Sequence, residues 1–279
     1  MQPTYDCEPT LDDFGVLKFC QNGFLSFPGV VPDEINQRTL KFMEDWEGSE
    51  PSHILREDWF VENVICQPEV AGAVRCLLGR DFGLPILMSS HKVHCPQPAQ
   101  EWHRDGGSKW GPPVNYLQVF YYPQDTPAEM GPTELLPGSH HLFSLSTFMG
   151  HYGSIRGAEL AESPAGSILI TAYNIWHRRG KSTATAVRNN LKYNYWRRTA
   201  PEKTWTSHPD FDPEKIEWHD KDWEVPTFRQ QFRDSYDAAE QFMWLSGKHD
   251  KFGTIGGQGW PVPGNNLERQ YGIPDGIKH

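Results

Sequence analysis

The pattern of apolar residues after about residue 85 limits the fold most strongly. Four short segments there are rich in aromatic and β-branched residues: PILMSSHKVHC (85–95), NYLQVFYY (115–122), GSILITAY (166–173) and RNNLKYNYWRR (188–198). Clusters of Gly and Pro separate them. Segments of this length and composition, bounded by turn residues, are typical of antiparallel strands. This part of the chain therefore predicts a jelly-roll-like barrel.

The chain before residue 85 has a different character. GFLSF (23–27) is typical of a short strand, and Pro32 with Asp33 marks the start of a helix. QPEVAGAVRCLLG (67–79) has apolar residues at helical spacing and ends at a glycine. We predict a single mostly-β domain with flanking helices: a helical and strand support (1–84), a jelly-roll core (85–200) and a C-terminal extension (201–279) that forms a lid or a dimer contact.

Charge and composition argue against several classes of function. The 36 acidic and 26 basic residues give a net charge of -10, which disfavours binding to nucleic acid or to anionic lipid. The longest apolar runs are short, so we expect no membrane span. The acidic N-terminus lacks a basic start and an apolar run, so we expect a cytoplasmic protein. The five cysteines are odd in number, scattered and never form CxxC, which predicts free thiols.

The stretch EWHRDGG (101–107) places His103 and Asp105 one residue apart. Side chains at positions i and i+2 of a strand leave from the same face, so both could bind one metal ion. The motif alone is weak, because a chain with 12 histidines and 36 acidic residues contains such a pair by chance. A surface turn held by a His–Asp hydrogen bond is the simpler interpretation unless a third ligand is found.

His177 is the preferred third ligand. It ends the strand-like segment GSILITAYNIWH, whereas His140 and His141 follow a tight turn and His151 lies in a glycine-flanked loop. Two histidines and one carboxylate on one face of an octahedron leave the opposite face open, as in non-heme Fe(II) oxygenases. Arg188 follows eleven positions after His177, and its planar guanidinium suits a carboxylate. The set predicts a dicarboxylate co-substrate, although His177 could instead be a core histidine and Arg188 a surface charge.

Several motifs in order along the chain carry a resemblance to a known family. They are NGFLSFPGVV (22–31), His103-Arg104-Asp105, YLQVFYYPQD (116–125), MGPTELLPGSH (130–140), His177 and Arg188. Together they resemble the phytanoyl-CoA dioxygenase-like branch of the Fe(II)- and 2-oxoglutarate-dependent oxygenases. The similarity covers roughly residues 14 to 198, and residues 201 to 279 have no counterpart in it.

The resemblance implies a double-stranded β-helix, cupin-like core with Fe(II) held by His103, Asp105 and His177. It further implies that 2-oxoglutarate and O2 are co-substrates and that Arg188 pairs with the far carboxylate of 2-oxoglutarate. Thr133 and Gln118 match positions that assist the co-substrate in this family. One departure is Arg179, which stands where some relatives have a small hydroxyl residue.

The reaction that the resemblance implies is oxidation of a small-molecule metabolite, most simply hydroxylation, with release of succinate and CO2. Desaturation, cyclisation or oxidative dealkylation by the same iron centre are alternatives. Five residues flank the predicted metal site in sequence, and we expect them to contact the primary substrate: Lys92, Trp102, Arg104, Trp110 and Tyr116. We expect a monomer or a homodimer.

Two alternatives come from other classes of protein. A zinc hydrolase could also use two histidines and a carboxylate, with water in the fourth position. It would have no need of Arg188 or of the turn around Thr133. A non-catalytic protein of the same fold could bind a small acid, and the complete set of three metal ligands argues against that interpretation.

Overall fold

The computed structural model describes residues 3–46, 48–105, 111–142, 151–213, 215–218 and 228–251. The helices are α1 (Asp13–Asn22), α2 (Asp33–Glu44), α3 (Asp58–Phe60), α4 (Pro68–Leu78) and α5 (Phe228–Leu245). Short 3-10 helices cover Ser52–Arg56, Ala128–Met130, Ser139–His141 and His249–Lys251, and a π-helical turn covers Val61–Ile65. As the sequence predicted, the helices that precede residue 85 come before a region made mainly of strands.

The strands are β1 (Thr4–Tyr5), β2 (Phe24–Phe27), β3 (Phe82–Gly83), β4 (Ser89–Ser90), β5 (Val93–His94), β6 (Tyr116–Tyr122), β7 (Thr133–Leu135), β8 (Glu159–Leu160), β9 (Ser167–Ala172), β10 (His177–Arg179), β11 (Val187–Arg188) and β12 (Leu191–Trp196). The large sheet has the order β1-β3-β12-β6-β9-β2, and β4 pairs with the start of β12. A smaller sheet has the order β10-β7-β8, and β5 pairs with β11. These pairings are antiparallel, as the segments after residue 85 predicted.

The three central strands of the large sheet divide their residues between two environments. Alternate residues of β6, β9 and β12 pack with the helices in the main hydrophobic core: Leu117, Val119, Tyr121, Ile168, Ile170, Ala172, Leu191, Tyr193 and Tyr195. Residues between them point to the other face. There Phe120 and Leu169 form a second, smaller core with Leu135 of β7. This second face is called the inner face below.

Local capping explains where two of the supporting helices begin and end. The carboxylate of Asp12 accepts a hydrogen bond from the Gly15 N–H at the start of α1, at 2.9 Å. The side chain of Gln67 does the same for Val70 at the start of α4, at 2.8 Å. Helix α4 ends immediately before Gly79, as its sequence predicted. Capped ends reduce the number of unpaired backbone groups, so these helices form a firm support for the sheet.

The C-terminal extension, where the structure describes it, packs into the main core. Trp205, Trp218, Phe242 and Leu245 are buried members of that core, and α5 lies against α1. Residues 252–279, on which part of the predicted lid or dimer contact falls, lie outside the described residues. Among the residues that the structure describes, no helix combines the length and the apolar character needed to cross a membrane.

Buried Asp13 joins α1 to the start of the C-terminal extension. Its carboxylate accepts hydrogen bonds from Lys203 Nζ at 2.6 Å, from Trp205 Nε1 at 2.7 Å and from the His208 N–H at 2.8 Å. Burial would raise the pKa of Asp13, but these three bonds outweigh it and hold the pKa below its ordinary value. The ionised carboxylate therefore stabilises the folded state.

We expect Asp13→Asn to lower the free energy of unfolding by about 2 kcal/mol at neutral pH, since charge-assisted hydrogen bonds are lost in a buried place. Because the folded-state pKa is depressed, this contribution is present above the ordinary carboxyl pKa and is lost as the pH falls through the folded-state value. Urea unfolding at a series of pH values checks both points. Exposed Asp210 offers the control Asp210→Asn, and an equal effect of the two variants would contradict the prediction.

Candidate metal centre and carboxylate site

The ligand atoms of His103, Asp105 and His177 lie within 4.8 Å of one another. The Nε2 atom of His103 is 3.9 Å from Asp105 Oδ1, and the Nε2 atom of His177 is 3.6 Å from Asp105 Oδ2. The His177 side chain is 4% exposed and that of His103 is 39% exposed. The cluster is thus buried on one side and open on the other, as a site that admits other molecules requires.

Backbone pairing holds the two imidazoles together. The N–H of His103 donates to the carbonyl of His177 at 3.0 Å, and the N–H of His177 donates to the carbonyl of His103 at 3.0 Å. Each ring also has its Nδ1 beside a backbone carbonyl: Glu101 at 2.8 Å for His103, and Ile175 at 3.1 Å for His177. An Nδ1–H bonded in this way leaves the Nε2 lone pair of each ring free to bind a metal.

Lys192 orients the carboxylate of Asp105. Its Nζ donates to Asp105 Oδ2 at 2.9 Å, and its side chain leaves the inner face of β12. Burial would raise the pKa of Asp105, but the positive charge of Lys192, with a smaller effect of His177, holds the pKa below its ordinary value. Asp105 is therefore ionised at neutral pH, which is the state that a metal ligand needs.

Burial has the opposite consequence for His177. It lowers the pKa of this imidazole to about 4, and the attraction of Asp105 compensates only in part. A neutral imidazole and an ionised carboxylate are the protonation states in which these groups bind metals. Two imidazole nitrogens and a carboxylate oxygen form the donor set of non-heme Fe(II) oxygenases, so the residues present fit ferrous iron.

A candidate carboxylate site lies at the Tyr122 end of β6. Arg188 of β11 is 2% exposed, and its Nε finds no hydrogen-bond partner among the described residues. Its guanidinium carbon lies 6.0 Å from the centre of the Tyr122 ring, and the Tyr122 hydroxyl donates to Thr133 Oγ1 at 2.7 Å. Burying a guanidinium without an anion is costly, so this cluster fits the far carboxylate of a dicarboxylic acid.

The glycine of the MGPT motif places Thr133 in this site. Gly131 has φ +67°, and a Cβ atom there would lie 2.6 Å from the carbonyl oxygen of Gly180. Only glycine fits this close approach. The chain then enters β7, where Thr133 pairs with Arg179 of β10. The tight turn thus brings β7 beside the strand that carries His177.

Two further cationic or titratable groups surround the site. Burial lowers the pKa of Arg188, and the positive charge of Arg179 adds to this effect. Burial also lowers the pKa of His91 to about 4, with added effects of Lys192 and Arg188, so its ring is neutral at pH 7. The Nε2 atom of His91 has no hydrogen-bond partner within the described ranges. His91 does not stand out in the sequence, because it lies close to the centre through backbone pairing with Asn190. Arg179 is the residue that departs from the family pattern, and it follows His177 on β10.

The other predicted site residues lie at various places around this centre. Gln118 lies on the inner face of β6, opposite Asn194 of β12 and Thr171 of β9. Tyr116 is the first residue of the same strand, four positions before Phe120, and it is 53% exposed. Lys92 is exposed, with its Nζ 3.4 Å from the carbonyl of Met43.

Trp102 and Arg104 alternate with the two ligands of the HxD motif and leave the other side of that segment. Trp102 is buried, and the guanidinium carbon of Arg178 lies 4.7 Å from the centre of its ring. The guanidinium carbon of Arg104 lies 5.2 Å from the centre of the Trp176 ring. Trp110, also expected to contact substrate, lies outside the described residues. Of the expected substrate contacts, Tyr116 is the one that the structure places on the inner face of the large sheet.

Comparison with known proteins identifies the family and the fold. A model of the phytanoyl-CoA dioxygenase family matches residues 19–190. Enzymes of that family use Fe(II), 2-oxoglutarate and O2. No curated protein matches the chain by sequence.

Three solved structures share the fold. HygX from Streptomyces hygroscopicus, with nickel and 2-oxoglutarate bound, has a TM-score of 0.57 at 14% identity and covers 70% of this chain and 89% of its own. AviO1 from Streptomyces viridochromogenes has a TM-score of 0.53 at 15% identity, with 71% and 100% covered. The epimerase SnoN from nogalamycin biosynthesis has a TM-score of 0.53 at 16% identity, with 66% and 82% covered. The predicted jelly-roll, cupin-like core is thereby confirmed.

Proposed function

Because the chain belongs to the phytanoyl-CoA dioxygenase family, we propose that it hydroxylates a small-molecule metabolite while 2-oxoglutarate is converted to succinate and CO2. The enzyme is an Fe(II)- and 2-oxoglutarate-dependent dioxygenase. The observation that carries the proposed reaction is the convergence of His103, Asp105 and His177 in one cluster on the inner face. Buried Arg188 on the same side of the fold supports it.

Each residue of the centre has a separate task in this proposal. Bound iron supplies the one-electron chemistry that lets O2 react with an unactivated C–H bond. His103, Asp105 and His177 would hold this iron through two imidazole nitrogens and one carboxylate oxygen, a donor set that leaves room for co-substrate and oxygen. Arg188, with Thr133 nearby, binds the far carboxylate of 2-oxoglutarate and so fixes its orientation. Holding the co-substrate at both ends positions it for reaction.

The inner face also keeps water away from the reaction. The Phe120 ring lies 5.6 Å from the His177 ring in an edge-to-face arrangement, and Phe120 belongs to the smaller apolar core. Lys192 of β12, the strand next to β6, donates a hydrogen bond to Asp105. Reactive intermediates survive better in such a dry pocket.

A small-molecule substrate is supported by what two of the solved relatives carry. One HygX structure contains hygromycin B, and one SnoN structure contains nogalamycin RO. Both are small molecules bound by proteins of this fold. Because SnoN is an epimerase, the same kind of centre also supports outcomes other than hydroxylation, and the product decides between them.

Untargeted mass spectrometry of a cell extract tests the proposal. The extract is incubated with purified protein, Fe(II) and 2-oxoglutarate, and the account predicts succinate together with a product heavier by one oxygen atom. A product lighter by two hydrogens would replace hydroxylation with desaturation. A parallel sample of the Asp105→Gly variant shows which changes depend on the metal centre. Consumption of neither oxygen nor 2-oxoglutarate, with zinc bound instead of iron, would contradict the proposal and favour a zinc hydrolase.

A further inference from the structure

We propose that a cavity beside the metal centre binds the primary substrate, and that this substrate is an uncharged, ring-bearing molecule with a hydroxyl group. This inference rests on the proposed function and names its substrate class. The cavity has a volume of about 410 Å³, within the range of sites for small molecules. Its lining consists of Ile86, Leu87, Tyr116, Tyr173, Asn194 and Trp196.

Strand geometry places this cavity next to the metal centre. Lys192, Asn194 and Trp196 lie at alternate positions of β12 and therefore leave the same face. Lys192 contacts Asp105 at 2.9 Å, and Asn194 follows about 7 Å further along the strand. Arg188 and Tyr122 lie towards the other end of the inner face. The metal centre thus separates the carboxylate site from the cavity.

Two amides lie side by side at the cavity: Asn194 belongs to its lining, and Gln118 is the neighbour of Asn194 on β6. Gln118 and Asn194 are directly opposite each other on β6 and β12. The Nε2 atom of Gln118 and the Oδ1 atom of Asn194 are both buried, and neither has a hydrogen-bond partner in the part of the chain that the structure describes. An unsatisfied buried polar group costs about 1–3 kcal/mol. One hydroxyl group can accept from the first amide and donate to the second, so a hydroxylated substrate satisfies both.

The walls of the cavity suit an uncharged ring. Tyr116 and Tyr173 have ring centres 5.9 Å apart, and Trp196 is paired with Tyr116 across the two strands. Aromatic faces pack well against other rings. The lining residues carry no formal charge, and Lys192, two positions before Asn194 on β12, is paired with Asp105. A charged substrate would lose its hydration without gaining a partner.

The cavity also changes the expected role of Gln118. From the sequence, this residue was expected to assist 2-oxoglutarate. Tyr122, four positions further along the same face, is the β6 residue that contacts Thr133 and lies over Arg188. Gln118 lies on the other side of Phe120 from Tyr122, and it pairs across the strands with the cavity residue Asn194. We therefore assign Gln118 to the primary substrate.

Binding of two matched probes tests this substrate class. The full chain is loaded with Mn(II) and 2-oxoglutarate so that no turnover occurs, and is titrated with 4-nitrophenyl β-D-glucopyranoside or with 4-nitrophenyl β-D-glucuronide. The two probes differ at one position, where the glucoside has a hydroxymethyl group and the glucuronide has a carboxylate. We expect the neutral probe to bind with a Kd below about 1 mM and the charged probe to bind at least ~10-fold more weakly. Equal or tighter binding of the glucuronide, or no binding of the glucoside, would overturn the assignment.

Variants locate the binding in the cavity. We expect Gln118→Leu and Asn194→Leu each to weaken binding of the glucoside about 5-fold to 20-fold. The matched control is Gln37→Leu, since Gln37 is exposed on α2, and Tyr173→Ala is a second cavity variant should an amide variant fold poorly. The affinity for 2-oxoglutarate, measured on the same samples, should stay within about 2-fold of the wild-type value. If the wild-type protein did not bind 2-oxoglutarate, the proposed function would be refuted. If all three variants bound the glucoside as tightly as the wild type does, the assignment of the cavity as the substrate site would be refuted.

Discussion

Replacing His177 with alanine should lower the affinity of the protein for Fe(II) by more than about 100-fold, because loss of a mere supporting partner of a ligand already costs 10-fold to 100-fold. Turnover of 2-oxoglutarate to succinate should fall to the background rate. His177 Nε2 faces Asp105 at 3.6 Å, and its Nδ1 is beside the carbonyl of Ile175. The alanine variant removes one of three ligand atoms and leaves the strand pairing of His103 with residue 177 intact. Titration with Fe(II) under anaerobic conditions measures the loss directly.

His94→Ala is the matched control for this variant. His94 is exposed on β5, the strand that pairs with the one carrying Arg188. We expect its Fe(II) affinity and its succinate production to equal those of the wild type. Circular dichroism of both variants should show unchanged secondary structure. If His177→Ala bound iron as well as His94→Ala does, the assignment of residue 177 as a ligand would be wrong.

Replacing Arg188 with alanine should raise the Kd for 2-oxoglutarate by about 100-fold, or ~3 kcal/mol. The guanidinium is 2% exposed and has no carboxylate partner among the described residues, so its charge is available to the co-substrate. Calorimetric titration of the Mn(II)-loaded protein with 2-oxoglutarate gives the Kd without turnover. The affinity for the metal itself should change little, because Arg188 belongs to the carboxylate site.

A second 2-oxo acid isolates the contact that Arg188 makes. 2-Oxopentanoate has a methyl group where 2-oxoglutarate has its far carboxylate, so it should bind the wild type and Arg188→Ala with similar Kd values. The variant Arg80→Ala, which removes an exposed charge, should leave both Kd values unchanged. A loss of affinity in Arg188→Ala that is equally large for the two acids would contradict a role in binding the far carboxylate and would indicate a general disturbance of the site.

The strands and helices could be predicted largely from local signals. Pro32 with Asp33 and the glycine at position 79 mark helix ends that the structure confirms. The segments 115–122 and 166–173 contain β6 and β9, because their aromatic and β-branched residues fit a buried sheet. Which strands pair could not be predicted from local pattern alone, since pairing depends on contacts between distant segments.

The centre shows the same division between local and long-range information. The His-x-Asp spacing indicates two ligands on one side of a segment, but the backbone pairing of His103 with His177 joins positions 74 residues apart. Lys192 was missed as the partner of Asp105, although the alternation in LKYNYW already places Lys192, Asn194 and Trp196 on one face. What that face meets depends on the register of β12 with β6.

Of the residues expected to contact the substrate, Tyr116 lines the cavity. Trp102 and Arg104 stand beside the ligands in the chain, yet alternation directs them to the opposite side, against Arg178 and Trp176. The cavity is also lined by Ile86 and Leu87, which precede β4, and by residues of two further chain segments, Tyr173 after β9 and Asn194 with Trp196 on β12. Only the folded sheet brings these segments together.

The most direct test of the account is a crystal structure of the Fe(II)-loaded protein with anomalous data at the iron edge. We predict one strong peak within bonding distance of His103 Nε2, His177 Nε2 and a carboxylate oxygen of Asp105. A peak at another place, or a His177 imidazole turned away from the other two ligands, would contradict the central claim that these three side chains hold the iron.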